Sequence, residues 1–373
     1  MDQPLKILHI ASEKTWRGGE NQIRLLMEGL RARGHEPFLA ADPGSEILRR
    51  LGKKFPSVAA PMARISWPAT VLRLHRFCRR HGITLIDAHS SKAHDVGLGL
   101  VTLDRRRRLI VHRRVDYPVG RPYAPLKYRT SKVARYVAIS NAIAEVLRRA
   151  GIDASRIVTV RSAVEAEPHQ GIDRASARES LRHMLGLPRD TLLIGNASAL
   201  SEQKGYGYLM SACALLRDSP EFKGLNFHCV IAGDGPLRDA LEQQRIALNL
   251  DNHVSFLGFI AKVPEFLAAL DIFAMTSIDE GLGTSALDAA HAGCAIIASN
   301  VGGLPEIISN NESGLLVPPR DPAAIAAAIT RLAHAPELRA AFARAVHEKV
   351  LREFSVDSMV EGNLRVYESV FQT

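Results

Sequence analysis

The 373-residue chain is poor in the residues that mark several protein classes. It has only four cysteines, Cys78, Cys213, Cys229 and Cys294, scattered without Cys-x-x-Cys spacing. That pattern excludes a disulfide scaffold and a thiolate zinc site, and predicts reduced thiols buried in cores. No apolar run approaches the roughly 20 residues of a membrane-spanning helix, because charges interrupt each candidate. The start, Met1-Asp2-Gln3-Pro4, lacks the pattern of a secretion signal, so a cytoplasmic location is expected. Aromatic residues make up 6%, too few for the aromatic-interleaved basic surfaces of a nucleic-acid binder. What is present is a 46% hydrophobic and 23% charged composition, which excludes intrinsic disorder. The length predicts two domains.

The net charge of +9 hides a division. Residues 1–170 carry 31 basic and 15 acidic side chains, a balance of +16, whereas residues 171–373 carry 17 and 24, a balance of −7. A basic half requires something anionic: a nucleic acid, a membrane surface or a phosphorylated substrate.

Hydrophobic patterning alternates strand and helix throughout. Leu5–Ala11, Pro37–Ala41, Leu85–Ala88, Leu109–His112 and Tyr136–Ile139 read as buried strands of the first half. Asn21–Arg33 and Ile143–Ala150 have helical spacing, stopped by Gly34 and Gly151. Thr191–Ala197, Phe227–Ala232, His253–Phe256, Ile272–Met275, Ala295–Ser299 and Gly314–Val317 repeat the grammar in the second half. The polar segment 164–173 reads as the linker. The fold class is therefore α/β, with two doubly wound parallel-sheet domains and an expected site in the cleft between them.

Five groups carry chemistry. Trp16-Arg17-Gly18-Gly19-Glu20-Asn21 joins the first strand to the first helix, and its glycines let backbone amides approach an anion. Ser201-Glu202-Gln203-Lys204-Gly205 offers Lys204 as a point charge for phosphate. Ala232-Gly233-Asp234-Gly235-Pro236 is a turn at a strand end. The segment from Asp279 to Gly293 is the strongest signal. It places Glu280 in a glycine-rich loop, starts a helix near Gly283 or Thr284, and sets Asp288 one turn beyond Thr284 on the same face. His89, His94 and His112 lie at or just after strand ends, and the spacing of His89 and His94 argues against a metal site.

Together these motifs resemble the GT-B glycosyltransferases of family 4, a retaining family with two Rossmann-like domains. Lys204-Gly205, Gly233-Asp234-Gly235-Pro236, Glu280-Gly281-Leu282-Gly283, Gly302-Gly303-Leu304-Pro305-Glu306 and Ser313-Gly314-Leu315-Leu316-Val317 occur in the family's order and spacing. The N-terminal half matches through Gly18-Gly19-Glu20, the His89 region, His112 and Ile139-Ser140. The resemblance implies an acceptor domain over residues 1–170, a nucleotide-sugar domain over 171–355, and a last helix, 356–373, packing back on the first domain. It implies that Gly18, Gly19, Lys204 and the amides of Gly283, Thr284 and Ser285 bind the donor diphosphate. Glu280 would address the donor sugar, Asp288 the ribose and His112 the transferred sugar, with His89 and His94 on the acceptor side. No cofactor and no metal are implied.

Two positions depart from the family. Its usual arginine before the lysine is Ala199, with Arg17 or Arg113 as substitutes, and its second glutamate is Asp288. The implied activity is sugar transfer to a lipid-linked or anionic glycan precursor such as lipopolysaccharide. The basic, Trp- and Leu-bearing stretch 63–81 and Arg105–Arg108 either meet an anionic membrane or form ordinary solvated helix faces. A nucleotide-sugar epimerase of the same fold is the alternative; a nucleic-acid binder ranks last.

Overall fold

The computed structural model describes residues 3–16, 18–114 and 124–372; Arg17 lies outside them. The chain divides into two compact units, one of residues 1–163 and 356–373, the other of residues 164–355. The first crossing comes at 163/164 rather than after residue 170. The segment taken as linker is bound into unit 2, where the Val164 N–H donates to the Phe354 carbonyl.

Unit 1 is a seven-stranded parallel sheet in the order β3-β2-β1-β4-β5-β6-β7. The strands are β1 (Lys6–Ala11), β2 (Glu36–Ala41), β3 (Ser57–Ala59), β4 (Leu85–Ala88), β5 (Arg108–Arg113), β6 (Arg135–Ala138) and β7 (Ile157–Thr159). Between them run α1 (Gly18–Ala32), α2 (Glu46–Leu51), α3 (Trp67–His81), α4 (Ser91–Leu103), α5 (Ala124–Arg129) and α6 (Asn141–Arg149). Central strands are covered on both faces, so Ile7, Leu8 and Ile10 are all buried without alternation. In α1 the residues Ile23, Leu26, Met27 and Leu30 are buried at three- and four-residue intervals, as their spacing requires. Ser90 and Ser140 cap α4 and α6, their hydroxyls accepting from the Ala93 and Ile143 amides. β3 and β7 were not anticipated, because a three-residue edge strand is too short to display a period.

Unit 2 is a six-stranded parallel sheet, β10-β9-β8-β11-β12-β13. It starts with α7 (Arg174–Met184) and continues through β8 (Leu192–Ala197), α8 (Tyr206–Asp218), β9 (Phe227–Ala232), α9 (Arg238–Ala247), β10 (Val254–Gly258), α10 (Val263–Ala269) and β11 (Ile272–Met275). Then come α11 (Thr284–His291), β12 (Ala295–Ser299), α12 (Leu304–Ile307), β13 (Leu315–Val317), α13 (Pro322–His334) and α14 (Pro336–Glu353). The chain then returns to unit 1 as α15 (Val356–Ser369).

All four cysteines are buried free thiols. Burial pushes Cys78 up to about 11 and Cys294 up to about 12, so neither ionises at neutral pH. Among the described residues, no helix is long and apolar enough to cross a membrane.

The return helix α15 is part of unit 1's core. Met359, Val360, Val366, Tyr367 and Val370 pack in one cluster with Ile7, Leu25, Leu26, Leu30 and Leu85. Each such side chain contributes about 1.5–3 kcal/mol of burial, so their sum rivals the whole stability of a domain. Truncation after Ser355 is therefore expected to abolish the thermal transition of unit 1 while leaving that of unit 2. Calorimetry of the shortened chain checks this.

Candidate functional site

Each sheet reverses its strand order at one place, and ligands of doubly wound sheets bind beyond the carboxyl ends of the strands there. In unit 2 the reversal lies between β8 and β11. The loop after β8 carries Lys204, and the loop after β11 carries Glu280. Their side chains meet, Lys204 Nζ donating to Glu280 Oε2 at 2.5 Å, with Ser277 Oγ 3.3 Å from the same oxygen. Both groups are mostly enclosed, with side-chain exposures of 18% and 12%.

Two glycines make this convergence possible. Gly205 has φ +64° and ends the short 3-10 turn over Glu202–Lys204; a Cβ there would collide with the Thr276 carbonyl. Gly302 has φ +53°, and its Cβ would collide with the Glu280 carbonyl, to which the neighbouring Gly303 amide donates. The Gly302-Gly303 turn thus braces the loop that presents Glu280.

α11 starts at Thr284, as expected, behind Gly283 in the left-handed region. The amides of Ala286 and Leu287 turn back to the Gly283 carbonyl, whereas those of Thr284 and Ser285 belong to the first turn, which has no intrahelical acceptors. A helix start of this kind, next to the Lys204–Glu280 loops, has the amides and dipole direction that favour an anion. Asp288 lies one turn further on, half-exposed, 3.6 Å from His169 Nε2. His169 stacks on His291, and burial with His169 nearby pushes His291 down to about 4. His169 escaped notice in the sequence because it sits in the segment taken as linker.

In unit 1 the reversal lies between β1 and β4. The glycines Gly18 and Gly19 form the first turn of α1 itself, not a loop preceding a helix at Asn21. Beside them, a buried cluster gathers around Asp87, which the sequence did not single out. Asp87 Oδ1 is 3.0 Å from His112 Nε2. Its Oδ2 accepts the Tyr367 hydroxyl at 2.5 Å and lies 3.2 Å from both His9 Nδ1 and His89 Nε2. Burial alone would raise the Asp87 carboxyl, but His112 and His89 outweigh it and hold it well below the usual range. Burial pushes His89 and His112 down, with Asp87 only partly offsetting it.

His9, Asp87 and His89 offer three ligand atoms close enough for a metal ion. The ring geometry tells against that use. The His9 and His89 rings are 18° from coplanar with centroids 5.3 Å apart, while Nδ1 and Nε2 are 3.0 Å apart. The remainder is what the two ring radii occupy, so the nitrogens lie on the line between the rings and aim at each other. A metal would require both to aim at a common point off that line. The tautomer follows from Arg114, which can only donate and is 3.0 Å from His89 Nδ1. Neutral His89 therefore carries its proton on Nε2, the nitrogen that faces Asp87 Oδ2 and His9 Nδ1.

His94 does not join this cluster. It is completely buried on α4, edge-on to Tyr128 and Tyr136, and neither ring nitrogen has a hydrogen-bond partner among the described residues. It is a core residue rather than an acceptor ligand. Arg113, a candidate substitute for the arginine missing at Ala199, donates to the Tyr128 hydroxyl at 3.1 Å inside unit 1.

Residues 177–349 match the family model for glycosyl transferases group 1, and residues 16–167 match that for glycosyltransferase family 4. Together the two glycosyltransferase models cover most of the chain, one in each half. Among curated proteins, the chain is 32% identical over 205 residues to 2-deoxystreptamine glucosyltransferase of Streptomyces kanamyceticus, covering 53% of this chain and 52% of that one. It is 34% identical over 220 residues to D-inositol 3-phosphate glycosyltransferase of Saccharomonospora viridis, covering 56% and 49%. The chain thus spans about half the length of the curated relatives it matches. The crystal structure of Anabaena HepE in complex with UDP-glucose superposes with a TM-score of 0.83 at 22% identity, over 98% of this chain and 100% of that one. The fold is therefore GT-B.

Burial holds His94 down to about 3, well below the unfolded value near 6.5. The folded state binds fewer protons, so this contribution is intact above about pH 6.5 and is lost progressively as pH falls toward 3. His94→Phe is expected to flatten the loss of denaturant midpoint between pH 7.5 and pH 5 without changing donor or acceptor turnover. A wild-type slope in the variant would refute the assignment.

Proposed function

We propose that the chain is a retaining glycosyltransferase that moves a sugar from a nucleotide-sugar donor to a lipid-linked or anionic glycan precursor, of the lipopolysaccharide type. The observation that supports this most is the Lys204–Glu280 pair beside the first turn of α11. Lysine and helix amides suit the anionic diphosphate that departs, and acting on a leaving group is where preorganised charge is most effective. Glu280, released from part of its bond to Lys204 by the incoming phosphate, is free to address hydroxyls of the donor sugar. Asp288 suits the ribose, whose hydroxyls a carboxylate accepts from at either side-chain length.

In the proposed step, the bond from the anomeric carbon to the diphosphate oxygen breaks. The acceptor oxygen bonds to the same face, and its proton passes to the departing phosphate. His112 acts beside the transferred sugar, and Asp87 fixes that ring. Gly18 and Gly19 supply first-turn amides of α1 for phosphate, and His89 serves the acceptor side only by holding Arg114 and His9 in place. No step is assigned to a metal or cofactor. The family models and the relatives' names favour transfer over epimerisation.

The acceptor reading rests on the basic character of unit 1. α3 buries Val71, Leu74 and Cys78 and turns Arg73, Arg76, Arg79 and Arg80 outward. Beside this face Ile65 is 95%, Leu72 49% and Trp67 37% exposed. The helix is core-facing, and the cations and apolar groups on its outer side suit a peripheral membrane contact. The named acceptor of the Saccharomonospora relative, an inositol phosphate, also fits an anionic acceptor.

Screening nucleotide sugars by thermal shift, beginning with the UDP-glucose found in HepE, should give a stabilised complex with at least one donor. Lys204→Ala is expected to lower kcat by roughly 10²- to 10³-fold with the fold intact. Near-normal turnover would remove Lys204 from the site. Asp87→Asn is expected to lower kcat by roughly 10²-fold and shift its pH profile, with KM for the donor unchanged. An altered donor KM with unchanged kcat would contradict the positioning role.

A further inference from the structure

A second cationic site lies at the opposite ends of unit 1's strands, where β5 and β6 begin. β5 and β6 both start on arginine, Arg108 and Arg135, and lie side by side. Between the end of α4, the loops preceding these strands and the end of α15 is a cavity of about 580 Å³. Its lining carries Arg107, which pairs with Asp104, and four further cations, Arg105, Arg108, Lys132 and Arg135, with the hydroxyl residues Thr102 and Ser131. Among the described residues no carboxylate lines it.

Three of these four cations are held by neutral acceptors. Arg108 Nε donates to the Val370 carbonyl at 3.1 Å and its Nη1 to the Arg105 carbonyl at 3.3 Å. Lys132 Nζ donates to Thr102 Oγ1 at 2.9 Å, and Arg135 Nη1 to the Ala134 carbonyl at 3.0 Å. Among the described residues none of the four pairs with an acid. The nearby Asp104 is spent on Arg106 at 3.0 Å and Arg107 at 3.7 Å. Like charges gathered in one concavity repel, and a fold that orients them without neutralising them is preorganised for an anion. Arg108 and His112 are four residues apart on β5, about 13 Å along the strand, so this site is separate from the histidine cluster.

We propose that this cavity binds a phosphate-bearing anion of at least two charges, apart from the donor and acceptor. The guanidinium forks suit phosphate oxygens, and the hydroxyls of Thr102 and Ser131 supply neutral donors. The volume admits a diphosphate or a phosphorylated headgroup. Its source is either a soluble phosphate compound or the headgroup of an anionic lipid, and both use the same chemistry.

Calorimetric titration with inorganic pyrophosphate tests this on the full chain. Two sites are expected, one in each unit. The triple variant Arg105→Ala/Lys132→Ala/Arg135→Ala, whose folding is checked by its melting temperature, should lose one of them or weaken it at least tenfold. Lys204→Ala should affect the other alone. If the triple variant titrates as the wild type does, the proposal is overturned. If Lys204→Ala titrates as the wild type does while the triple variant loses a site, the donor assignment fails and this one stands. Sedimentation with phosphatidic acid vesicles identifies the source. At least tenfold weaker vesicle binding by the triple variant, with displacement of the wild type by pyrophosphate, assigns a lipid headgroup. Equal vesicle binding with loss of the pyrophosphate site assigns a soluble anion.

Discussion

A parallel sheet that grows outward in both directions from its first strand must reverse once, and at that reversal two loops diverge and leave a crevice. Both units obey this constraint, and both place their reactive side chains at it. In unit 2 the crevice separates β8 from β11, and the loops that leave these strands bring Lys204 to Glu280 across 76 residues of sequence. In unit 1 it separates β1 from β4, where His9 meets Asp87 and His89. Strand order thus decides which distant residues become neighbours, and glycine decides how near their backbones come.

The two crevices solve opposite electrostatic problems. That of unit 2 gathers donors: an ammonium group and the free amides of a helix start, with one carboxylate as their partner until a ligand arrives. That of unit 1 encloses a carboxylate. Burying an ionised acid without partners is costly, and the partners must come from whichever elements surround it. Asp87 takes them from β5 and from α15, as well as from its neighbours on β1 and beyond β4. Tyr367 therefore links the return helix to the histidine cluster, so the same helix that completes the hydrophobic core of unit 1 also completes its polar centre.

The loops that carry Lys204 and Glu280 were legible in the sequence because their patterns are local. A lysine before a glycine, or an acid ahead of a glycine-opened helix, is a contiguous pattern whose geometry follows from φ and from helix termini. The Asp87 cluster has no such pattern. Its members come from residues 9, 87, 89, 112 and 367, and the strand register together with the packing of α15 brings them together. His94 illustrates the same limit from the other side. Its position shortly after a strand pointed toward the crevice, but α4 starts at Ser91 and its first turn directs that ring into the core against Tyr128 and Tyr136. Three-residue edge strands were missed for lack of length, and the first crossing point because a polar, proline-bearing segment was taken as free when it is fastened by His169 and Val164.

The charge division gains a structural meaning from the same comparison. Much of the excess of unit 1 is not consumed internally: the outer arginines of α3 face solvent, and those at the start of β5 and β6 are held by carbonyls rather than acids. Cations needed only for solubility would be free to pair with nearby carboxylates at little cost, since a surface ion pair is worth less than about 1 kcal/mol either way. Holding these cations of unit 1 apart from acids adds to a positive field on that half of the chain. Such a field raises the encounter rate with anions and orients their approach. Unit 1 thus keeps cations available to anions, while in unit 2 Lys204 and the start of α11 gather at the reversal of the sheet.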